Sequence, residues 1–220
     1  MLTIKKLLTF NEGEMGIGSL IIFVAMLLVA GIAASVVFQT MNTFQQQAME
    51  TGEETIKDVA SGVEVNHISG KTNGNNITQI AILINTIAGS AAVDLNHAHV
   101  TISDTNKKIV LRYDSNYFNS SVSNGLFKTM SLASLDASHF GIIVVRDRDG
   151  SCESTNPVIN EQDIVALMVN TSNCFGDGDP SSGLGTRTEV TGSVYLEFGM
   201  RGIIGFITPS VYVDTIVDLQ

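Results

Sequence analysis

The side chains of this 220-residue chain that could do chemistry are few, and most are oxygen ligands. Asp147, Asp149 and Glu153 punctuate "RDRDGSCE", and Asp177 and Asp179 alternate along "FGDGDP". Carboxylates so spaced in a Gly-containing loop are the hard donors that calcium or magnesium takes. Neither stretch completes an EF-hand loop, so solvated turn carboxylates are the plainer reading and a structural divalent cation is the alternative. His97 and His99 would share one face of a strand and could offer zinc two nitrogens, but no third or fourth ligand can be named. Cys152 and Cys174 are the two cysteines. If the chain is exported, one disulfide between them is the expected pairing, removing about 3 kcal/mol of loop entropy from the unfolded state. Two free thiols are the alternative, because a count of two does not prove a bridge.

Covalent catalysis finds no support. "GIGSLI" starts like a dinucleotide-binding fingerprint, yet the third Gly is missing and no strand precedes it. No Gly-x-Ser-x-Gly elbow, P-loop or His-Glu-x-x-His occurs. The expectation is a protein that is not an enzyme and carries no catalytic cofactor. Twelve Lys and Arg against twenty-two Asp and Glu give a formal net charge of −10, which leaves no basic stripe for neutralising phosphates and argues against a nucleic-acid partner. Three Asn-x-Ser/Thr sequons, at Asn76, Asn119 and Asn170, are candidate N-glycosylation sites, the first two in turn-like surroundings.

The elements that must carry these residues differ sharply between the two ends of the chain. Between Glu14 and Glu50 there is no charged residue, and the apolar run extends from Gly16 to Phe38. About 20 apolar residues at 1.5 Å each span a bilayer, so this segment is a membrane-helix candidate, with Lys5 and Lys6 on its cytoplasmic flank. Gly16, Gly18, Ala25, Ala30, Gly31 and Ala34 are interleaved with bulky residues such as Phe23, and small residues let helix backbones approach closely. Beyond Phe38 the pattern turns amphipathic through Phe44, Ala48, Ile56 and Val59. One helix from about residue 15 to 60 would be roughly 65 to 70 Å long, more than a membrane needs.

After Gly62 the period shortens to two. Strands are expected at 77–87, 97–104, 107–114, 140–146, 163–170, 187–198, 202–208 and 213–219, separated by Gly-, Asn- and Asp-rich turns. The fold class expected is α+β: a long N-terminal hydrophobic helix followed by an antiparallel, immunoglobulin-like β-sandwich.

The stretch "GEMGIGSLIIFVAMLLVAGIAASVVFQTMNTFQQQAMETGEE" resembles the start of an archaeal flagellin (archaellin), a family of the type IV pilin-like superfamily. The ending "TRTEVTGSVYLEFGMRGIIGFITPSVYVDTIVDLQ" is similar to the archaellin ending, and the two ends together cover about half of the chain. The resemblance implies a class III signal peptide, cut by a prepilin-peptidase-like signal peptidase. By position the cut falls between Gly13 and Glu14. Where the family usually has a basic residue before the cleaved Gly, this chain has Asn11 and Glu12. The implied organisation is a cleaved peptide over 1–13, a filament-core helix over 14–62 and an outer β domain over 63–220.

The implied function is structural. The precursor sits in the cytoplasmic membrane, then polymerises through its helix with identical or paralogous subunits into the extracellular archaellum filament. A basal motor and export machinery are the implied partners, and the filament turns as a propeller for swimming. The family also implies N-glycosylation and, in some members, a divalent ion in the outer domain. The alternatives are a subunit of an adhesive type IV-like archaeal pilus, built on the same plan, and a single-span surface binding protein that keeps its signal.

Overall fold

The computed structural model describes residues 3–176, 179 and 182–220, with side chains from residue 16 onward. Two units are distinguishable, residues 1–54 and 55–220. The first is almost wholly the helix α1, Thr3–Ala60, whose last turns belong to the second unit. Nothing in its sequence stops the helix before Ala60: Gly52 costs about 1 kcal/mol against Ala, and no Pro interrupts it. Gly13 and Glu14 lie inside it.

Among its described residues the second unit contains eleven strands. They are β1 (Val63–Thr72), β2 (Ile77–Thr86), β3 (Val93–Asp94), β4 (His99–Ser103), β5 (Lys108–Asn119) and β6 (His139–Arg146), then β7 (Val158–Ile159), β8 (Ile164–Asn170), β9 (Glu189–Tyr195), β10 (Gly202–Ile207) and β11 (Ile216–Asp218). Short helices α2 (Leu126–Thr129) and α3 (Thr171–Phe175) and a 3-10 turn (Leu132–Ser134) complete it.

The long apolar helix and the mostly antiparallel β domain are both present. Nine strands are hydrogen-bonded in one sheet, in the order β10-β9-β4-β5-β6-β8-β2-β1-β11, and β3 pairs with β7. The sheet curls until β10 approaches β1: Gly62 bridges Met200, and a Cβ on Gly202 would touch Val63 and Val65. One pair departs from the antiparallel expectation. β5 and β6 run parallel, since the α2 and 3-10 segment carries the chain back to the starting end of the sheet.

The core lies on the concave side, where Ile80, Ile82, Ile84, Phe140, Ile142, Leu167, Ile204 and Phe206 meet. A smaller cluster on the other side puts Phe127, Met130 and Leu135 over Ala81, Ile143, Ala166 and Met168. Strands β2, β6 and β8 are therefore covered on both faces, and their near-continuous apolar runs follow from that. The junction between α1 and β1 is tightly stitched. Buried Ser61 accepts from the amide of Ala91 through Oγ, and Ser90 Oγ accepts from the amide of Gly62.

Candidate functional site

A long run of exposed apolar side chains lies along α1. Ile17, Leu20, Ile21, Phe23, Leu27, Leu28, Val29, Phe38 and Phe44 are all exposed. Over Gly16–Ala60 the helix is long and apolar enough to cross a membrane. The expected packing positions are open: a Cβ added at Gly16, Gly18 or Gly31 would meet nothing within 4 Å. Ala25, Ala30 and Ala33 floor a shallow groove walled by Ile22, Met26 and Val29. These six share a face, because residues three and four apart stack along a helix. Such a groove is the shape into which the ridge of another helix fits.

Four hydroxyls along the apolar part of this helix are satisfied internally. Ser19 donates to the carbonyl of Gly16, Ser35 to Ile32, Thr40 to Val36 and Thr43 to Gln39, at 2.8 to 3.0 Å. A buried polar group without a partner costs free energy in lipid and in a dry helix bundle alike, so back-bonded hydroxyls suit both environments. The arrangement offers packing and no reactive group.

A second cluster lies in the β domain. Arg146 and Ile164 are register partners at the ends of β6 and β8, so the next residues out, Asp147 and Asp163, are brought together. Carboxylate oxygens of Asp147, Asp149 and Asp163 lie within 4.8 Å of one another. Asp163 is fully buried, Asp147 half-buried and Asp149 exposed. Backbone amides hold them in place: Asp147 accepts from Asp149, Gly150 and Cys152, and Asp163 from Arg148 and Asn160. Asp149 accepts from Ser151 and from the Asn160 side chain, and these hydrogen bonds hold its carboxyl below the usual range. The donor set fits a hard cation: three carboxylates, one of them buried, with the Asn160 amide and Ser151 hydroxyl beside them.

The sequence reading missed Asp163, taking it as the start of a strand. Asp179 is exposed in a separate turn, and Asp177 lies outside the described residues. Glu153 does not join the cluster. His99 Nδ1 donates to the carbonyl of His97, and among the described residues neither histidine belongs to a group of three ligating side chains.

The expected disulfide is not formed; both cysteines are buried free thiols. Cys174 sits on α3 with Sγ 3.6 Å from the carbonyl of Ala137, just before β6. Cys152 is tied by its amide to the carboxylate of Asp147, just after β6. The two are held by opposite ends of one strand. Burial pushes both thiols up to about 12, aided at Cys152 by Asp147 and Asp163 and opposed at Cys174 by Lys107.

The sequons separate in the same way. Asn76 and Asn119 are half-buried at strand ends. Asn170 is corrected as a glycan site, because it is 1% exposed and its amide is already used. Its Nδ2 donates to the carbonyls of Leu132 and Leu135, and its Oδ1 caps α3 by accepting from Asn173.

The comparisons with known proteins converge. A family model described as archaeal-type flagellin matches residues 13–206. The chain is 46% identical over 214 residues to Flagellin B2 of Methanocaldococcus jannaschii, covering 96% of each. It is 36% identical to Flagellin B1 of Methanococcus voltae, covering all of both. The crystal structure of archaeal flagellin FlaB1 from Methanocaldococcus jannaschii superposes with a TM-score of 0.63 at 30% identity, over 73% of this chain and 98% of that one. The archaeal flagellum of Methanospirillum hungatei has the same fold, with a TM-score of 0.61 at 13% identity, over 93% of this chain and 98% of that one.

Proposed function

The chain belongs to the archaeal-type flagellin family and is a structural subunit of the extracellular archaellum filament, not an enzyme; we propose that it enters the filament from a membrane-held precursor. A prepilin-peptidase-like signal peptidase would cut between Gly13 and Glu14. The freed α1 would then leave lipid and pack against α1 of neighbouring subunits. The observation that carries this reading is the charge-free flank of α1, with its small-residue groove and back-bonded hydroxyls. In lipid that flank faces acyl chains. In a filament it faces identical flanks, and keeping it from water is worth about 25 cal/mol per Å² of apolar surface.

Head-to-tail contacts that do not close into a ring generate an open helix of subunits. The acidic β domains would form its outer sheath, bearing glycans at Asn76 and Asn119. A divalent cation held by Asp147, Asp149 and Asp163 would neutralise a carboxylate cluster with one buried member and brace the 147–163 loop against the ends of β6 and β8. A basal motor and export machinery would act on the assembled filament, which needs only stiffness and shape from its subunits.

The test is Gly13→Leu. The variant is expected to keep residues 1–13, to stay in the membrane and to leave cells without filaments. Normal processing and swimming would contradict the proposal.

A further inference from the structure

The end of β5 and the loop after it form a polar cleft. Asn119, the last residue of β5, lines it together with Ser121, Ser123, Asn124, Lys128 and Thr129, around an open volume of about 310 Å³. Small-molecule sites run from about 300 to 1,000 Å³, so the cleft has room for a sugar ring.

Its shape is set by groups that are already committed. Thr129 Oγ1 accepts from the amide of Ser123 at 2.7 Å and donates to the carbonyl of the same residue at 2.8 Å. Between them Asn124 and Gly125 turn the chain at φ +58 and φ +89. Buried Phe127 pins α2 against the sheet, which fixes the stem of Lys128 next to it. The rest of the lining is uncommitted. Among the described residues, the side chains of Asn119, Ser121, Ser123, Asn124 and Lys128 have no hydrogen-bond or ion-pair partner.

Those groups offer an ammonium, two carboxamides and two hydroxyls, a mixture of donors and acceptors, and no carboxylate lines the cleft. A ring bearing hydroxyls around its edge matches such a mixture. The sequon Asn119-Ser120-Ser121 places the attachment point in the lining itself. The Asn119 carboxamide is free, whereas that of Asn170 is used within the fold. A sugar joined to Asn119 Nδ2 therefore starts inside the cleft. Tethering gives it an effective concentration on the order of millimolar, so contacts too weak to hold a free sugar suffice.

We propose that this cleft seats the first sugar of a glycan on Asn119, with Lys128 and Asn124 hydrogen-bonded to the ring hydroxyls. The inference rests on the Asn119 glycan proposed above and adds that its base folds onto the protein instead of projecting into solvent. The seated ring ties the end of β5 to α2, so the modification stabilises the β domain itself.

Amine footprinting tests it. The full-length chain held in membranes by Gly13→Leu, where assembly covers nothing, is compared with the same chain carrying Ser121→Ala, which removes the sequon hydroxyl. Glycopeptide mass spectrometry reads Asn119, and acylation by N-hydroxysuccinimide acetate is followed at Lys128 against exposed Lys108. Relative to Lys108, Lys128 is expected to react at least fivefold more slowly with sugar on Asn119 than without it. Equal relative rates with sugar present would overturn the seat while leaving the glycan reading intact. If Asn119 is bare both here and in wild-type filaments, the glycan reading itself fails, and this inference with it.

A melting cycle on the same chains in mild detergent separates a seated sugar from one that merely shields. Lys128→Ala is expected to lower the melting temperature of the glycosylated chain by about 2 °C and to leave that of Ser121→Ala unchanged. The same shift in both backgrounds, or in neither, would contradict the proposal.

Discussion

The amide of Met200 donates to the carbonyl of Ser61 at 2.8 Å, and the carbonyl of Met200 accepts from the amide of Val63 at 3.2 Å. This two-way bond clamps the end of α1 to the turn before β10. Gly199 makes room for it, with φ +90 and a position where a Cβ would clash with the Ser61 carbonyl oxygen. Nearby, the ammonium of Lys57 sits 5.1 Å above the ring of Phe198. Gly199→Ala therefore meets both backbone strain and a backbone clash. It is expected to cost about 3 kcal/mol and lower the melting temperature of the full chain. A wild-type melt would show that the junction relaxes freely.

Both cysteines are expected to resist thiol reagents in the folded chain at pH 8, because groups raised to about 12 carry almost no thiolate there. Reaction should follow unfolding, and a reductant should leave the melting temperature unchanged. A fall of several degrees on reduction would reveal a disulfide after all.

Asn170→Ala removes a helix cap and one of two donors to each of the carbonyls of Leu132 and Leu135, which keep only the Leu135 amide and the Asn173 side chain, respectively. A loss of about 2 kcal/mol is expected in a thermal melt. Mass spectrometry of glycopeptides should find sugar on Asn76 or Asn119 and none on Asn170; sugar on Asn170 would contradict its burial.

If Asp147, Asp149 and Asp163 hold a divalent cation, calcium should raise the melting temperature and a chelator should lower it. At a hundredfold excess over Kd the gain is about 2.7 kcal/mol. In Asp163→Ala the response should vanish. A wild-type melt indifferent to calcium and chelator would count against the site.

Stability should fall in acid through Asp136. Burial works to raise its carboxyl, but hydrogen bonds from His139 and Ser138 outweigh that and hold it below 3.8. A carboxyl depressed by folding stabilises the chain above its unfolded value, and the gain is lost as pH drops through the folded value. The wild-type melting temperature should thus decline below about pH 4 more steeply than that of Asp136→Asn. Identical acid profiles would remove Asp136 from the account.

The helix was legible because its signal is strong: no charge between Glu14 and Glu50, and small residues at helical spacing. Strands β2, β6, β8 and β10 were legible for a comparable reason, since burial on one or both faces forces apolar alternation or apolar runs. β1 was not assigned, because "VEVNHISGKT" keeps polar residues on its half-exposed face and follows the helix within two residues. The end of β5 was missed where an irregularity between Tyr113 and Phe118 breaks the alternation with "DSN". Asp163 and Asp147 are sixteen positions apart, and only the β6–β8 register makes them neighbours. For the cysteines, composition can suggest a pair, whereas the fold decides whether the two meet.

The most direct measurement is to shear filaments from intact cells, identify this polypeptide in them by mass spectrometry and read its mature N-terminus. A chain beginning at Glu14 and recovered from filaments is the expected result. Recovery from membranes alone, with residues 1–13 still attached, would contradict the filament subunit and favour an anchored surface protein.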